Sequence, residues 1–274
     1  MGSNHRNLSQ TEWLGTELKG PARRIVSLVP SLTDAVFALD AGGALTARTE
    51  WCIRPHGLVE SIETIGGTKN PDVRRIVEIA PDVILASREE NKKESILKLA
   101  EKHPVWLVDP HGPEDVPALW LELGEIVGRQ EAGRRLVEQV EQTIRAVKEY
   151  AARRTIPGPR FHCYIWKDPW MVAGHGTYIS NVLEMVGFRN ALPAHHTRYP
   201  ELTDAGLLAA DVDVHLFMTE PYRFELPRDL GPLADTGATA ILADGQLLSW
   251  YPSLTEVGLS YARQLREKLE QVEP

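Results

Sequence analysis

Pro81-Asp82-Val83-Ile84-Leu85-Ala86-Ser87-Arg88-Glu89 is an apolar run of strand length that opens on Pro-Asp and closes on a charged pair. Its lack of alternation fits a strand covered on both faces, as in a parallel sheet. Val212-Asp213-Val214-His215-Leu216-Phe217-Met218-Thr219-Glu220 reads as its copy: Asp lies over Asp, Val over Val, Leu over Leu and Glu over Glu at one constant offset. The helical stretches before them, ending Arg75-Ile76-Val77-Glu78-Ile79 and Gly206-Leu207-Leu208-Ala209-Ala210, match in type at the same offset. The pattern predicts a duplicated chain with Glu89 and Glu220 at equivalent strand ends. Ligands of open α/β sheets lie beyond the carboxyl ends of the strands, so a cleft between two such lobes is the expected site.

Working outward, Arg24–Val29 reads as a buried strand followed by a helix from Ser31, and Val105–Val108 as another strand, with a helix over Lys92–Glu101 before it. Arg160–Trp166, Val212–Met218 and Thr239–Ala243 supply a second set of strands. Strands alternating with helices argue for βαβ units. The fold class is therefore α/β, with two small parallel-sheet lobes bridged by one long backbone helix. That helix is the amphipathic stretch Arg129–Arg154, with Leu136, Val140, Ile144 and Val147 on one face, about 39 Å long if unbroken. The boundaries read as an N-terminal extension over 1–22, a first lobe over 23–128, the inter-lobe helix over 129–157 and a second lobe over 158–274.

Thirty Lys plus Arg against 38 Asp plus Glu give a formal charge of −8. No field draws nucleic acid or an anionic membrane, and neither nucleic-acid binding nor membrane insertion is expected. The two cysteines, Cys52 and Cys163, form no C-x-x-C pair. Met1–Asn7 is not followed by the apolar run of a secretory signal, which favours a cytoplasmic protein; a periplasmic one is the alternative if the chain begins at a processed end. No G-x-S-x-G elbow, H-E-x-x-H or dinucleotide fingerprint is present, so no enzyme and no catalytic cofactor are expected. A metal-dependent enzyme on the same scaffold is the alternative, resting on Cys52, His56 and His175 beside Glu89 and Glu220.

Four motifs sit where sites form. Trp51-Cys52-Ile53-Arg54-Pro55-His56 sets a thiol and an imidazole four residues apart, read either as a metal or axial ligand pair or as a packed loop. Gly66-Gly67-Thr68-Lys69-Asn70-Pro71 is a flexible turn whose Lys69 suits a carboxylate or phosphate, without P-loop spacing. Arg88-Glu89-Glu90-Asn91 follows a buried strand, and Asn91 is either a ligand contact or a helix cap. Trp166-Lys167-Asp168-Pro169-Trp170 and Gly174-His175-Gly176-Thr177-Tyr178 open the second lobe, with His175 a second axial candidate.

Arg24–Asp34 (RIVSLVPSLTD), Gly66–Ala86 (GGTKNPDVRRIVEIAPDVILA), the long helix and Gly176–Asn190 (GTYISNVLEMVGFRN) resemble class III substrate-binding proteins, the helical-backbone group that takes up cobalamin, haem and iron-siderophore chelates for ABC importers. The likeness runs over residues 22–272 and is greatest to the cobalamin-binding branch. It implies a shallow cleft holding a planar metal chelate, a corrinoid first and haem or a ferric siderophore as alternatives. The ligand-binding residues it points to are the aromatics Trp51, Trp166, Trp170, Tyr178, Tyr199, Tyr222, Trp250 and Tyr251, about half of them in contact, with His56, Thr68, Lys69, Asn70, Glu89, Glu90, Asn91, His175 and Glu220 as polar partners. Metal ligation would fall to Cys52, His56 and His175. Importer-coupled members dock through a surface Glu on each lobe. The matching positions here are Arg74 and Ala205, which argues against a permease partner.

Overall fold

The computed structural model describes residues 10–272; the N-terminal stretch 1–7, read above for a signal, lies outside them. In chain order the first strands and helices are β1 (Thr11–Leu14), β2 (Ile25–Ser27), α1 (Pro30–Ala38), β3 (Leu45–Arg48), β4 (Glu63–Thr64), α2 (Val73–Ile79), β5 (Val83–Ser87), α3 (Lys93–Ala100), β6 (Val105–Val108), α4 (Val116–Ile126) and α5 (Gln130–Ala152). After them come β7 (Arg160–Trp166), β8 (Trp170–Val172), α6 (Tyr178–Met185), β9 (Arg189–Asn190), β10 (Glu201–Leu202), α7 (Asp204–Ala209), β11 (Val214–Met218), β12 (Thr239–Ala243), α8 (Gly245–Ser249) and α9 (Thr255–Val272).

The chain packs as two compact units. The first takes the chain up to Pro110, Asp115–Val140 and Tyr251–Ser253. The second takes His111–Glu114, Glu141–Trp250 and the chain from Leu254. Helix α5 is thus shared, its first part packing with the first unit and its remainder with the second. Its apolar stripe is Val140, Ile144 and Val147, all buried. Near its start Gly133 meets α4 closely: a Cβ there would stand 2.7 Å from the Trp120 carbonyl oxygen, so only glycine lets the two backbones approach.

The first sheet runs β1-β6-β5-β2-β3-β4, with every pairing parallel except that of β1 with β6. β5 and β6 are buried along their whole length, which is why they read as unbroken apolar runs rather than alternating ones. The second sheet runs β10-β8-β7-β11-β12, with β9 beside the start of β7. Here β7, β11 and β12 are mutually parallel, as β2, β5 and β6 are in the first unit. β8 is antiparallel and covers the later half of β7, where the first sheet has β3.

The duplication read from the sequence has a structural counterpart in each unit. Asp82 precedes β5; its Oδ2 accepts from the amides of Arg23 (2.8 Å) and Arg24 (2.9 Å), and its own amide donates to Arg24 O at 2.8 Å. Asp213 precedes β11; its Oδ2 accepts from Arg160 N at 2.6 Å, and its amide donates to Arg160 O at 2.8 Å. Each aspartate therefore pins the start of its strand to the neighbouring strand. The N-caps of α2 and α7 fall at the same offset, Asp72 accepting from Arg75 N and Thr203 from Gly206 N. Cys52 and Cys163 are both buried free thiols.

Candidate functional site

In the first unit, the loops at the carboxyl ends of the strands are tied together by Asn91. Its Oδ1 accepts from Ser87 N at 2.9 Å, and its amide donates to Thr68 O at 3.0 Å and Leu28 O at 3.3 Å. One side chain thus joins the ends of β2 and β5 to the Gly66–Asn70 turn. It is no helix cap, since the N-cap of α3 is Lys92, which makes no side-chain capping bond. Lys69 Nζ donates to Glu89 O at 2.8 Å and Lys92 Nζ to Asn70 Oδ1 at 2.8 Å. The loop after β3 joins the group through Glu50 N, which donates to Gly66 O at 2.9 Å. Trp51 follows it, 60% exposed beside Gly67. Trp51, Thr68, Lys69, Asn70, Glu89, Glu90 and Asn91 therefore lie on one connected loop cluster.

Tyr251 joins this cluster at Ser87. It is buried, with its hydroxyl 3.1 Å from Ser87 Oγ at the end of β5. Burial first, then the charges of Glu89 and Glu90, push its phenol well above the usual range. Two residues on, Ser253 Oγ donates to Asp34 Oδ2 at 2.7 Å, and Arg54 Nε stands 3.7 Å from the other Asp34 oxygen. Asp34 and Arg54 lie within motifs read from the sequence, but nothing there marked their tie to Ser253, which is distant in the chain.

In the second unit an aromatic column ends at the carboxyl edge of the sheet. Trp166, the last residue of β7, is 41% exposed and meets Tyr222 edge-on at 5.6 Å. Tyr222 packs on Phe224 at 4.6 Å, and Phe224 stacks on Trp170 at 6.2 Å with rings 6° apart. Trp170 is buried, its Nε1 donating to Asp204 Oδ1 at 3.1 Å. Trp250 is likewise buried, with Nε1 donating to Glu220 Oε1 at 2.5 Å. Burial raises the Glu220 carboxyl above the usual range against that hydrogen bond. Tyr178 is buried, its hydroxyl 2.7 Å from Thr255 Oγ1, and Tyr199 is half-buried in the loop before β10. Beside the column lies a charge cluster the sequence did not advertise. Asp229, almost wholly buried, takes Lys167 Nζ at 3.1 Å and Arg228 at 2.7 Å, and the Arg228 guanidinium holds its carboxyl far below the usual range.

The metal candidates are otherwise engaged. Cys52 is wholly buried, Thr33 Oγ1 donates to its Sγ at 3.0 Å, Thr49 Oγ1 lies at 3.2 Å, and burial pushes the thiol up. His56 is exposed and faces Glu60 at 3.7 Å. His175 Nε2 lies 2.8 Å from Leu192 O and Nδ1 3.2 Å from Glu184 Oε1, so both ring nitrogens face acceptors. Among the described residues no three His, Cys, Asp or Glu side chains are grouped as a metal ion would require. On the helix faces, Arg74 is exposed and paired with Glu78 at 3.0 Å, while Ala205 is the second residue of α7.

Two α/β units joined through one long helix, each with aromatic and polar side chains gathered at its strand ends, define a two-unit solute-binding architecture. The chain belongs to the periplasmic binding protein family, whose model matches residues 25–244. Over 182 residues it is 22% identical to the vitamin B12-binding protein of Pectobacterium carotovorum subsp. carotovorum (strain PC1), covering 66% of each chain, so it spans about two thirds of the length of that relative. Among solved structures it is similar to the periplasmic vitamin B12 binding protein of Vibrio cholerae (TM-score 0.78, 18% identity, 92% of this chain and 99% of that one). A periplasmic heme binding protein from Pseudomonas aeruginosa shares the fold as well (TM-score 0.77, 21% identity, 89% and 92%). These findings overturn the expectation of a cytoplasmic protein, because the family and its relatives in solved structures are periplasmic binding proteins. The expectation rested on residues 1–7 alone.

Proposed function

We propose that the chain binds a bulky metal chelate, cobalamin first, through the loops at the carboxyl ends of its strands, and releases it unchanged. The observation that carries this reading is the exposed Trp166, set against Tyr222 and backed by buried aromatic rings. An indole held rigidly by such a column offers a large apolar face at little entropic cost, which is what a corrin or porphyrin requires of a protein surface. Trp51 is the corresponding exposed aromatic of the first unit. Relatives named for vitamin B12 and heme support the chelate class. Lys167 and Arg228, gathered on Asp229 beside the column, give haem a second reading, since they suit the carboxylates of that chelate.

Trp51→Ala and Trp166→Ala are each expected to weaken chelate binding about 10- to 100-fold, with the unfolding midpoint unchanged in Trp51→Ala, whose ring is largely solvated, and modestly lowered in Trp166→Ala, which loses its packing on Tyr222. Calorimetric titration with cyanocobalamin and haemin measures this. Wild-type affinity in both variants would remove the two indoles from the site.

A further inference from the structure

β1 ends the first sheet: among the described residues its strand neighbour is β6 alone, so alternate backbone groups of Thr11–Leu14 face away from any strand. Leu14 pairs with Val105, the first residue of β6, so the chain leaves β1 at the amino end of the parallel strands, away from the loops that carry the proposed chelate contacts. There the segment after β1 and helix α4 border a groove of about 700 Å³. Trp13, Leu14, Leu18 and Ile126 give it apolar walls, and Trp13 is 46% exposed. Its charged lining is wholly acidic, with Glu17, Glu122 and Glu125 and no Lys, Arg or His. Glu122 is committed to the fold, accepting from Thr11 Oγ1 at 3.0 Å and Trp106 Nε1 at 2.8 Å. Glu17 and Glu125 have no ion-pair partner among the described residues, unlike surface carboxylates such as Glu63, Glu78 and Glu270.

We propose that this groove docks an extended, basic segment of a partner protein, added as a strand along the open edge of β1. Strand addition draws affinity from main-chain hydrogen bonds and specificity from the grooves beside the edge. A lysine or arginine reaching Glu17 and Glu125 would lay its aliphatic stem against Trp13, with the cation over the indole, while apolar side chains meet Leu14, Leu18 and Ile126. Charge complementarity selects the partner: three carboxylates and no cation repel an acidic segment. A free organic cation would use the carboxylates but leave the strand edge and the length of the groove bare.

The test uses the whole chain and the probe acetyl-Lys-Val-Lys-Val-Lys-amide, with acetyl-Glu-Val-Glu-Val-Glu-amide and tetramethylammonium as comparisons. The expected result is saturable binding of the lysine peptide alone, with hydrogen exchange slowed at the amides of Thr11–Leu14. Binding should weaken at least about tenfold in Glu17→Gln/Glu125→Gln, and again when salt rises from about 50 mM to about 500 mM. The cyanocobalamin titration of the variant should match that of the wild type, because the groove lies at the other end of the sheet. No saturable peptide binding, equal binding by the glutamine variant, or unaltered exchange at β1 would overturn the proposal. Tetramethylammonium binding in place of the peptide would overturn it in favour of a small-cation site.

Discussion

His162 on β7 stands in register with His215 on β11, and both imidazoles are buried. His215 is satisfied, with Nδ1 2.9 Å from the Tyr164 hydroxyl and Nε2 3.2 Å from Thr236 Oγ1. Among the described residues, neither ring nitrogen of His162 has a hydrogen-bond partner. Burial, then the charges of His215 and Arg160, lower its pKa from 6.5 to about 4, so the folded unit holds it neutral. The unfolded chain binds the proton more readily over that interval. The stability that depends on neutral His162 is therefore complete above pH 6.5 and falls as the pH drops toward 4. Between pH 7 and pH 5 the loss amounts to about 2 kcal/mol, with His215 acting in the same direction. Denaturant unfolding of His162→Phe should show a shallower decline over that range, and a slope equal to the wild type would contradict the assignment. Trp170 belongs to the same core. Trp170→Ala should cost about 3 to 5 kcal/mol of stability, seen as a lower unfolding midpoint, so a loss of chelate binding in that variant reports the core rather than a contact.

At the scale of elements, Asn91 and Gly245 decide whether the strand-end loops keep their shape. Removing the Asn91 amide in Asn91→Ala takes the partner from three hydrogen bonds, two of them buried and one part-buried. The expected loss is about 2 to 3 kcal/mol, accompanied by faster hydrogen exchange in the Gly66–Asn70 turn; unchanged exchange there would show that the turn stands without it. Gly245 opens α8 against Glu220, where a Cβ would lie 2.5 Å from Glu220 Cγ and 2.9 Å from its amide nitrogen. Gly245→Ala is expected to cost about 1 to 3 kcal/mol and to disturb the Trp250–Glu220 hydrogen bond, read as a shift in tryptophan fluorescence. The elements that were legible in sequence were apolar runs and one long amphipathic stretch: β6, buried throughout, β7, buried through its middle, and β12, apolar though largely exposed, fall on the runs read for them, and α5 on the longest amphipathic stretch. β1, β3, β4, β8, β9 and β10 were not. They are four residues or fewer, and pairing rather than composition makes them strands: Glu201 and Leu202 extend only because β8 lies beside them. β1 lies within the stretch read as an N-terminal extension, where its alternation is too short to stand out.

At the scale of the molecule, Asp82 and Asp213 mark the same joint in two units built on one parallel pattern, which is why the offset repeat is legible in the sequence. The site was only partly legible. Sequence places Trp51, Trp166, Trp170 and Trp250 alike near strand ends, but which indoles are solvated depends on what packs over them. Phe224 covers Trp170 and Glu220 holds Trp250, and neither is adjacent in sequence. The Lys167–Asp229–Arg228 cluster left no signal for the same reason. Because a ligand that binds only the folded chain stabilises it in proportion to the logarithm of its concentration, chelate binding should also raise the unfolding midpoint in a concentration-dependent way. The most direct measurement is an absorbance-monitored titration of the purified chain with cyanocobalamin, aquocobalamin, haemin and a ferric siderophore. Saturable one-to-one binding of a corrinoid, weakened by Trp51→Ala and Trp166→Ala, is the predicted result, and the absence of saturation with every one of these chelates would contradict the account.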